Sequence, residues 1–335
     1  MTESIGAIVL AAGKGTRMKS AQAKVLHHIF FRPMLHHVLE AVLAATMERI
    51  VVVIGHQQEA VQGILSGFPV ETVLQEEQRG TGHAVLCAEA GCAGMSEILI
   101  LCGDTPLVRT ETLSAMLAQH RQEQPVLTVM STELAQPFGY GRILRSAEGQ
   151  VEAIVEEKDA SEEQRAIREI NAGIYLADAD FLFTALRQVG TNNSQGEVYL
   201  TDIVAIARRE NKRVHPFFHP HALDVLGVNS RVELAQAEAA LQERRNFELM
   251  RAGVTMLNPA TIRVAPDCNI GEDCVLHGQV NIEGECSLGR GCVLEQGVVL
   301  RDCRLGAAVR VGANSVIIGR HVADGAIIAP LSRNL

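Results

Sequence analysis

An apolar residue at every sixth position near the end of the chain constrains its fold more than any other feature. Val264, Ile270, Leu276, Ile282, Leu288, Leu294 and Leu300 keep that spacing without a break. The frame then slips by one residue and resumes at Leu305, Val311 and Ile317. A period of six fits neither the 3.6 of an α-helix nor the 2 of a strand. It fits a parallel β-helix, in which each hexad makes one side of a triangular coil and turns its apolar residue inward. Cys268, Cys274, Cys286 and Cys292 each stand four residues after an inward position. A place that admits only a small side chain suits free cysteine, which packs as a small hydrophobe. Residues 18 apart, such as Cys268 and Cys286, are then expected to stack on successive coils. A metal ladder or a redox pair is the alternative to packing, and packing is the preferred reading.

The first two thirds of the chain read differently. Apolar runs at Ile5–Leu10, Arg49–Ile54, Val70–Leu74, Ile98–Leu101 and Val126–Met130 predict strands. Amphipathic stretches at Pro33–Ala45, Gln57–Leu65, Thr81–Ala90 and Thr110–Gln122 predict helices between them. This alternation indicates an α/β domain with a mostly parallel sheet covered on both faces. Ligands of such sheets bind beyond the carboxyl ends of the strands. Ser230-Arg231-Val232-Glu233 has the form of a helix-starting capping box. The division expected is therefore an α/β domain over 1–228, a helical linker over 229–258 and a β-helix over 259–335.

Leu10–Met18 reads Leu-Ala-Ala-Gly-Lys-Gly-Thr-Arg-Met, directly after the first strand. Gly13 and Gly15 allow a tight turn that brings bare N–H groups to a ligand, and Lys14 and Arg17 add positive charge. Such a loop suits phosphates. It is not a Walker loop, because Lys14 is followed by Gly15 rather than preceded by a Gly-x4-Gly run, and it is not the dinucleotide fingerprint, because Met18 stands where the third glycine would be. The net charge of −9 argues against nucleic acid as a partner, yet Ser4 to Leu39 contains no Asp or Glu. A local basic field in an acidic protein suits a small polyanion. Lys24 follows the loop. Gln75–His83 offers an amide and a glycine-rich turn suited to a base edge. Asp104, at a strand end, is placed for Mg²⁺, which takes one or two protein oxygens plus substrate phosphates. No apolar run approaches the roughly 20 residues that span a bilayer, and the start has no basic n-region, so a cytoplasmic protein without membrane insertion is expected. The pairs His27-His28 and His36-His37 are read as ordinary histidines rather than metal ligands, and the eight cysteines contain no close pair of the metal or redox type.

Leu10–Met18, Lys24, Gln75–His83, Gly103-Asp104 and Gly139-Tyr140-Gly141-Arg142 together resemble the sugar-1-phosphate nucleotidyltransferases. Val155–Ala160, Glu169–Gly173, Gln195–Asp202 and Gly227-Val228-Asn229 narrow the likeness. They match the N-acetylglucosamine-1-phosphate uridylyltransferase half of the bacterial bifunctional enzymes that make UDP-N-acetylglucosamine. The resemblance implies a Rossmann-like domain joined to a left-handed β-helix of hexapeptide repeats, and a homotrimer through that helix. It also implies that Leu10, Ala11, Ala12, Gly13 and Lys24 contact the nucleotide phosphates. Gln75, Gly80 and Thr81 would read uracil, and Gly103 would line the site. Asp104 and Asn229 would ligate Mg²⁺. Gly141, Glu156 and Asn171 would bind the sugar, while Arg17 and Lys24 would stabilise charge on the transferring group. The reaction implied is attack of the N-acetylglucosamine-1-phosphate oxygen on the α-phosphorus of UTP, with loss of pyrophosphate.

Ala23 departs from the family's usual proline before the lysine. The basic turn that opens the family's acetyltransferase site would begin where this chain reaches Leu335, so most of that domain is expected to be missing and no acetyltransferase activity is expected. Three other functions compete with the uridylyltransferase. One is nucleotidyl transfer to another sugar-1-phosphate or from another nucleotide. The others are a β-helix acyltransferase using acyl-CoA and a non-catalytic sensor of nucleotide sugars.

Overall fold

The structure is a computed structural model that describes residues 4–334. It divides into two compact units. One holds the described residues up to His28 together with Arg32–Glu233, and the other holds Ile29–Phe31 and the residues from Leu234 onward.

The first unit is built on a nine-stranded sheet. Its main path runs Val214–Phe218, Leu127–Glu133, Glu169–Asp178, Glu97–Cys102, Ile5–Leu10, Arg49–Ile54 and Glu71–Leu74. Ile5–Leu10 lies in its interior, parallel to both neighbours. Alternate residues of one strand enter opposite cores, as a sheet buried on both faces requires. Ile8, Val51, Val53, Ile98 and Ile100 pack on one side. Ala7, Val9, Val52, Leu99 and Leu101 pack on the other. The sheet is mixed rather than all parallel, because Glu169–Asp178 runs antiparallel to both of its neighbours. A hairpin, Arg142–Arg145 with Val151–Val155, joins it at the side.

The second unit begins in the helix Arg231–Arg251 and continues as short strands. These stack into three parallel ladders, one per side of the coil. This is the left-handed β-helix of hexapeptide repeats. Val264, Leu276, Ile282, Leu288, Leu294, Leu300, Leu305, Val311 and Ile317 are all buried within it. Ile270 is only half-buried. Successive coils pair residues 18 apart at first, as Val264 with Ile282. Beyond the slip they pair residues 17 apart, as Leu288 with Leu305 and Leu305 with Val322. The shortened corner is thus repeated, and it brings Cys303 into the column of Cys268 and Cys286, where the Cys303 amide donates to Cys286 Sγ at 3.3 Å. All five cysteines of this unit are buried and free.

Candidate functional site

The first strand ends at Leu10 and the chain turns out of the sheet through Gly13 and Gly15. Gly15 has φ +62°, and a Cβ there would lie 2.6 Å from Lys24 Cβ. The loop and Lys24 therefore pack as one piece only if residue 15 is glycine. Gly13 has no such neighbour; a side chain on it would enter open space. That space is a cavity of about 650 Å³ lined by Leu10–Arg17, Lys24, Gln75, Gln78, Gly80, Thr81, Cys102, Asp104, Glu197 and Asn229, among others. It lies at the carboxyl ends of the parallel strands, where such sheets hold ligands.

Four polar side chains converge on one side of the cavity. Lys24 Nζ donates to Asp104 Oδ2 and, at 2.9 Å, to Asn229 Oδ1. Arg17 Nη2 donates to the same Asn229 oxygen at 2.8 Å. The Asn229 amide nitrogen donates to the Gly227 carbonyl at 2.9 Å, which leaves its oxygen facing the two cations. Gly227 gives the Asp104 carboxylate room, since a Cβ there would lie 3.0 Å from Oδ1. The Val228 amide is pinned to the Asp104 carbonyl at 2.8 Å. The expected capping box is formed next to this turn: Glu233 Oε2 accepts from the Ser230 amide, and Ser230 Oγ accepts from the Glu233 amide.

Gly141, Glu156 and Asn171 form a second group. The Asn171 amide donates to the Gly141 carbonyl at 2.9 Å, and Asn171 Oδ1 accepts from the Gly173 amide. A Cβ on Gly141 would lie 3.6 Å from Glu156 Oε2. Burial pushes the Glu156 carboxyl above its usual range, opposed by the Thr201 hydroxyl, which donates to it at 3.2 Å. Gly103 stands between the cavity-lining Cys102 and Asp104 but does not itself line the cavity, and a Cβ on it would strike Leu35 at 2.8 Å. Cys102 links the cavity to this second group, since a Cβ on Gly173, whose amide donates to Asn171, would lie 3.9 Å from Cys102 Sγ. Cys102 lines the cavity, and its thiol is pushed up to about 12 by burial and the Asp104 charge.

Sequence reasoning passed over Tyr140 and Thr201 as separate contributors, although both lie inside quoted motifs. Burial pushes the Tyr140 hydroxyl up to about 12, with the Glu233 and Asp104 charges adding, while the Arg17 charge and a hydrogen bond with Asn229 oppose the rise. Only the folded turn reveals this. Among the described residues no group of three or more His, Cys, Asp or Glu is placed to hold a metal ion. No helix among them is long and apolar enough to cross a membrane.

A family profile described as a MobA-like NTP transferase domain matches residues 7–172. A bifunctional protein GlmU from Desulfotalea psychrophila is 45% identical over 317 residues, which is 94% of each chain. The chain belongs to the GlmU family. The GlmU proteins of Syntrophotalea carbinolica and Halalkalibacterium halodurans are 46% and 44% identical, over 96% and 97% of this chain and 69% and 71% of their own. Like its GlmU relatives, the chain is a nucleotidyltransferase that makes UDP-N-acetylglucosamine from UTP and N-acetylglucosamine-1-phosphate, as the resemblance implied. GlmU nucleotidyltransferases work with a divalent metal ion.

Proposed function

We propose that the cavity at Leu10–Arg17 holds UTP and that the Gly141, Glu156 and Asn171 group holds the sugar of N-acetylglucosamine-1-phosphate. The observation that carries this is the convergence of Arg17, Lys24, Asp104 and Asn229 on one side of the glycine loop. The sugar phosphate already bears an anionic oxygen, so no general base is required. The work is to align two polyanions and offset their repulsion.

The metal in this reading is Mg²⁺. The Asp104 carboxylate and the Asn229 amide oxygen already meet a cation, the Lys24 ammonium, so the donor set fits one. One carboxylate and one amide oxygen leave the remaining positions to phosphates and water, which suits magnesium. Bound there, the ion would offset phosphate charge. Lys24, freed from Asp104, then contacts the phosphates, and Arg17 stabilises charge at the transferring group. The loop amides around Gly13 hold the triphosphate, the Ala11 amide staying on the Val53 carbonyl at 2.8 Å, and Gln75 with Gly80 and Thr81 holds the base.

Pyrophosphate release measured with UTP, CTP, ATP, GTP or dTTP against glucose-1-phosphate or N-acetylglucosamine-1-phosphate tests the assignment. The expected best pair is UTP with N-acetylglucosamine-1-phosphate, and only with Mg²⁺ present. Preference for another pair would overturn it. A homotrimer formed through the β-helix belongs to the same proposal, because so few coils need neighbours to cover their outer faces. Sedimentation at working concentration checks it, and a monomer would contradict it.

A further inference from the structure

The amide of Gln75 is held in one orientation by two partners. Gln75 is 3% exposed and lines the cavity. One polar atom of its amide lies 3.1 Å from the Gly80 carbonyl oxygen. A carbonyl oxygen only accepts, so that atom is the –NH₂ group whichever way the amide is drawn. The same nitrogen lies 3.0 Å from His83 Nδ1. With one N–H on Gly80 and the other on His83, the donors are used up. The imidazole is fixed as well. Nδ1 accepts, so the proton sits on Nε2, which faces Cys87 Sγ at 4.0 Å. The Gly80 end of this clamp is equally fixed. Gly80 has φ +103°, and a Cβ there would lie 2.6 Å from the Val198 carbonyl oxygen. The loop is tied to that segment by Val198 N to Arg79 O and Gly82 N to Val198 O, both at 2.8 Å.

We propose that His83 is a specificity-determining positioning residue, which with the Gly80 carbonyl makes Gln75 present only its amide oxygen to the base. An oxygen acceptor at that point favours a pyrimidine whose ring N3 carries hydrogen, as uracil does. It disfavours cytosine, whose N3 is a lone pair facing another lone pair. A buried hydrogen-bonding site rejects the mismatched partner because its polar group is left unpaired. The inference rests on the reading of Gln75 as the base contact, and it adds that a second residue, behind Gln75, sets the sign of that contact. His83 touches no reacting atom.

The test compares kcat/KM for UTP and for CTP, with N-acetylglucosamine-1-phosphate and Mg²⁺, in four proteins: the native chain, Gln75→Leu, His83→Leu and His83→Asn. Leucine removes the acceptor from position 83. Asparagine returns one at the δ position, where Nδ1 stood. The expected result is a UTP:CTP preference that falls about tenfold in His83→Leu, the scale of one hydrogen bond, and recovers most of that in His83→Asn. Gln75→Leu is expected to lower it at least as far. Circular dichroism and the KM for the sugar phosphate monitor whether His83→Leu is folded; if it is not, His83→Gln, which moves the acceptor one bond outward, takes its place with the same expected loss. An unchanged preference in folded His83→Leu, or in His83→Gln where that replaces it, while Gln75→Leu lowers it, would overturn the role of His83. An unchanged preference in Gln75→Leu would overturn the base contact itself.

Discussion

Asn229 shows how one amide sorts charge in this site. Its N–H group is spent on the Gly227 carbonyl, so its oxygen is left to Arg17 and Lys24. Arg17 thereby stands over the place where negative charge must be offset. Arg17→Ala is expected to slow uridylyl transfer by roughly 10²–10³, the usual cost of one lost electrostatic contact to a transition state. Pyrophosphate release under saturating substrates measures it, and near-normal turnover would remove the assignment. Glu156 makes a different prediction. Burial, with the Asp202, Asp159 and Glu197 charges, holds its carboxyl above the usual range in the folded protein. The folded state therefore keeps that proton more firmly than the unfolded one. Its contribution is favourable below the unfolded carboxylate value of about 4.3 and is lost as pH rises through the raised one. Ionised Glu156 is thus a cost at neutral pH. Glu156→Gln is expected to raise the melting temperature at pH 7, with the gain shrinking toward pH 4, while weakening use of the sugar phosphate. A thermal-shift series across pH checks this, and a gain independent of pH would contradict it.

Among the elements, the turn Gly139–Gly141 depends on a clamp. Arg142, 2% exposed, donates to the Tyr140 carbonyl and, at 2.7 Å, to Glu157 Oε2. Glu157 also accepts from the Gly139 amide at 3.2 Å. Glu157→Gln leaves the buried guanidinium without its counter-charge. Breaking such a pair is expected to cost about 2–4 kcal/mol, somewhat less than for a fully buried one because Glu157 keeps some solvent contact. The measurement is denaturant unfolding together with the KM for N-acetylglucosamine-1-phosphate, which is expected to rise; an unchanged KM would detach the clamp from the sugar group. This part of the sheet was also the least legible in the sequence. Ile5–Leu10 and Arg49–Ile54 were readable to the residue, because buried parallel strands are unbroken apolar runs with sharp ends. Glu169–Asp178 was not, because Glu169, Asn171 and Gly173 interrupt its pattern and its register shifts between Asn171 and Tyr175. A strand that carries polar site residues has a composition set by ligand and bulge rather than by the core. The residues of the candidate site were named through their motifs. What no motif carried was the arrangement: Lys24 resting on Asp104, Tyr140 against Asn229, His83 behind Gln75. The first two are contacts between segments far apart in the chain, and the third depends on how the turn between Gln75 and His83 folds back.

For the molecule as a whole, the two periodicities of the chain build two kinds of core. In the first unit the burial alternates between two faces of one sheet, and in the second it returns once per side of a coil. The hexad was legible because a coil leaves no freedom in which residue points inward. The repetition of the 17-residue coil was less so, since the period alone locates one slip and the pairing of Leu305 with Val322 locates the next. Leu300 is fully buried on the middle strand of its ladder. Leu300→Ala is expected to destabilise the β-helix by about 2–5 kcal/mol, the range for a leucine cavity in a packed core; amide exchange along residues 281–318 reads it, and unchanged protection would contradict inward packing. The claim on which the rest depends is that the glycine loop, two cations and an Asp104–Asn229 pair form one nucleotide site. A crystal structure with a non-hydrolysable UTP analogue and manganese tests it most directly. The account predicts an anomalous peak between Asp104 and Asn229, the phosphates along residues 10–15, and Lys24 turned from Asp104 to the phosphates. Nucleotide bound elsewhere, or a metal peak remote from Asp104 with Lys24 still paired to it, would contradict the account.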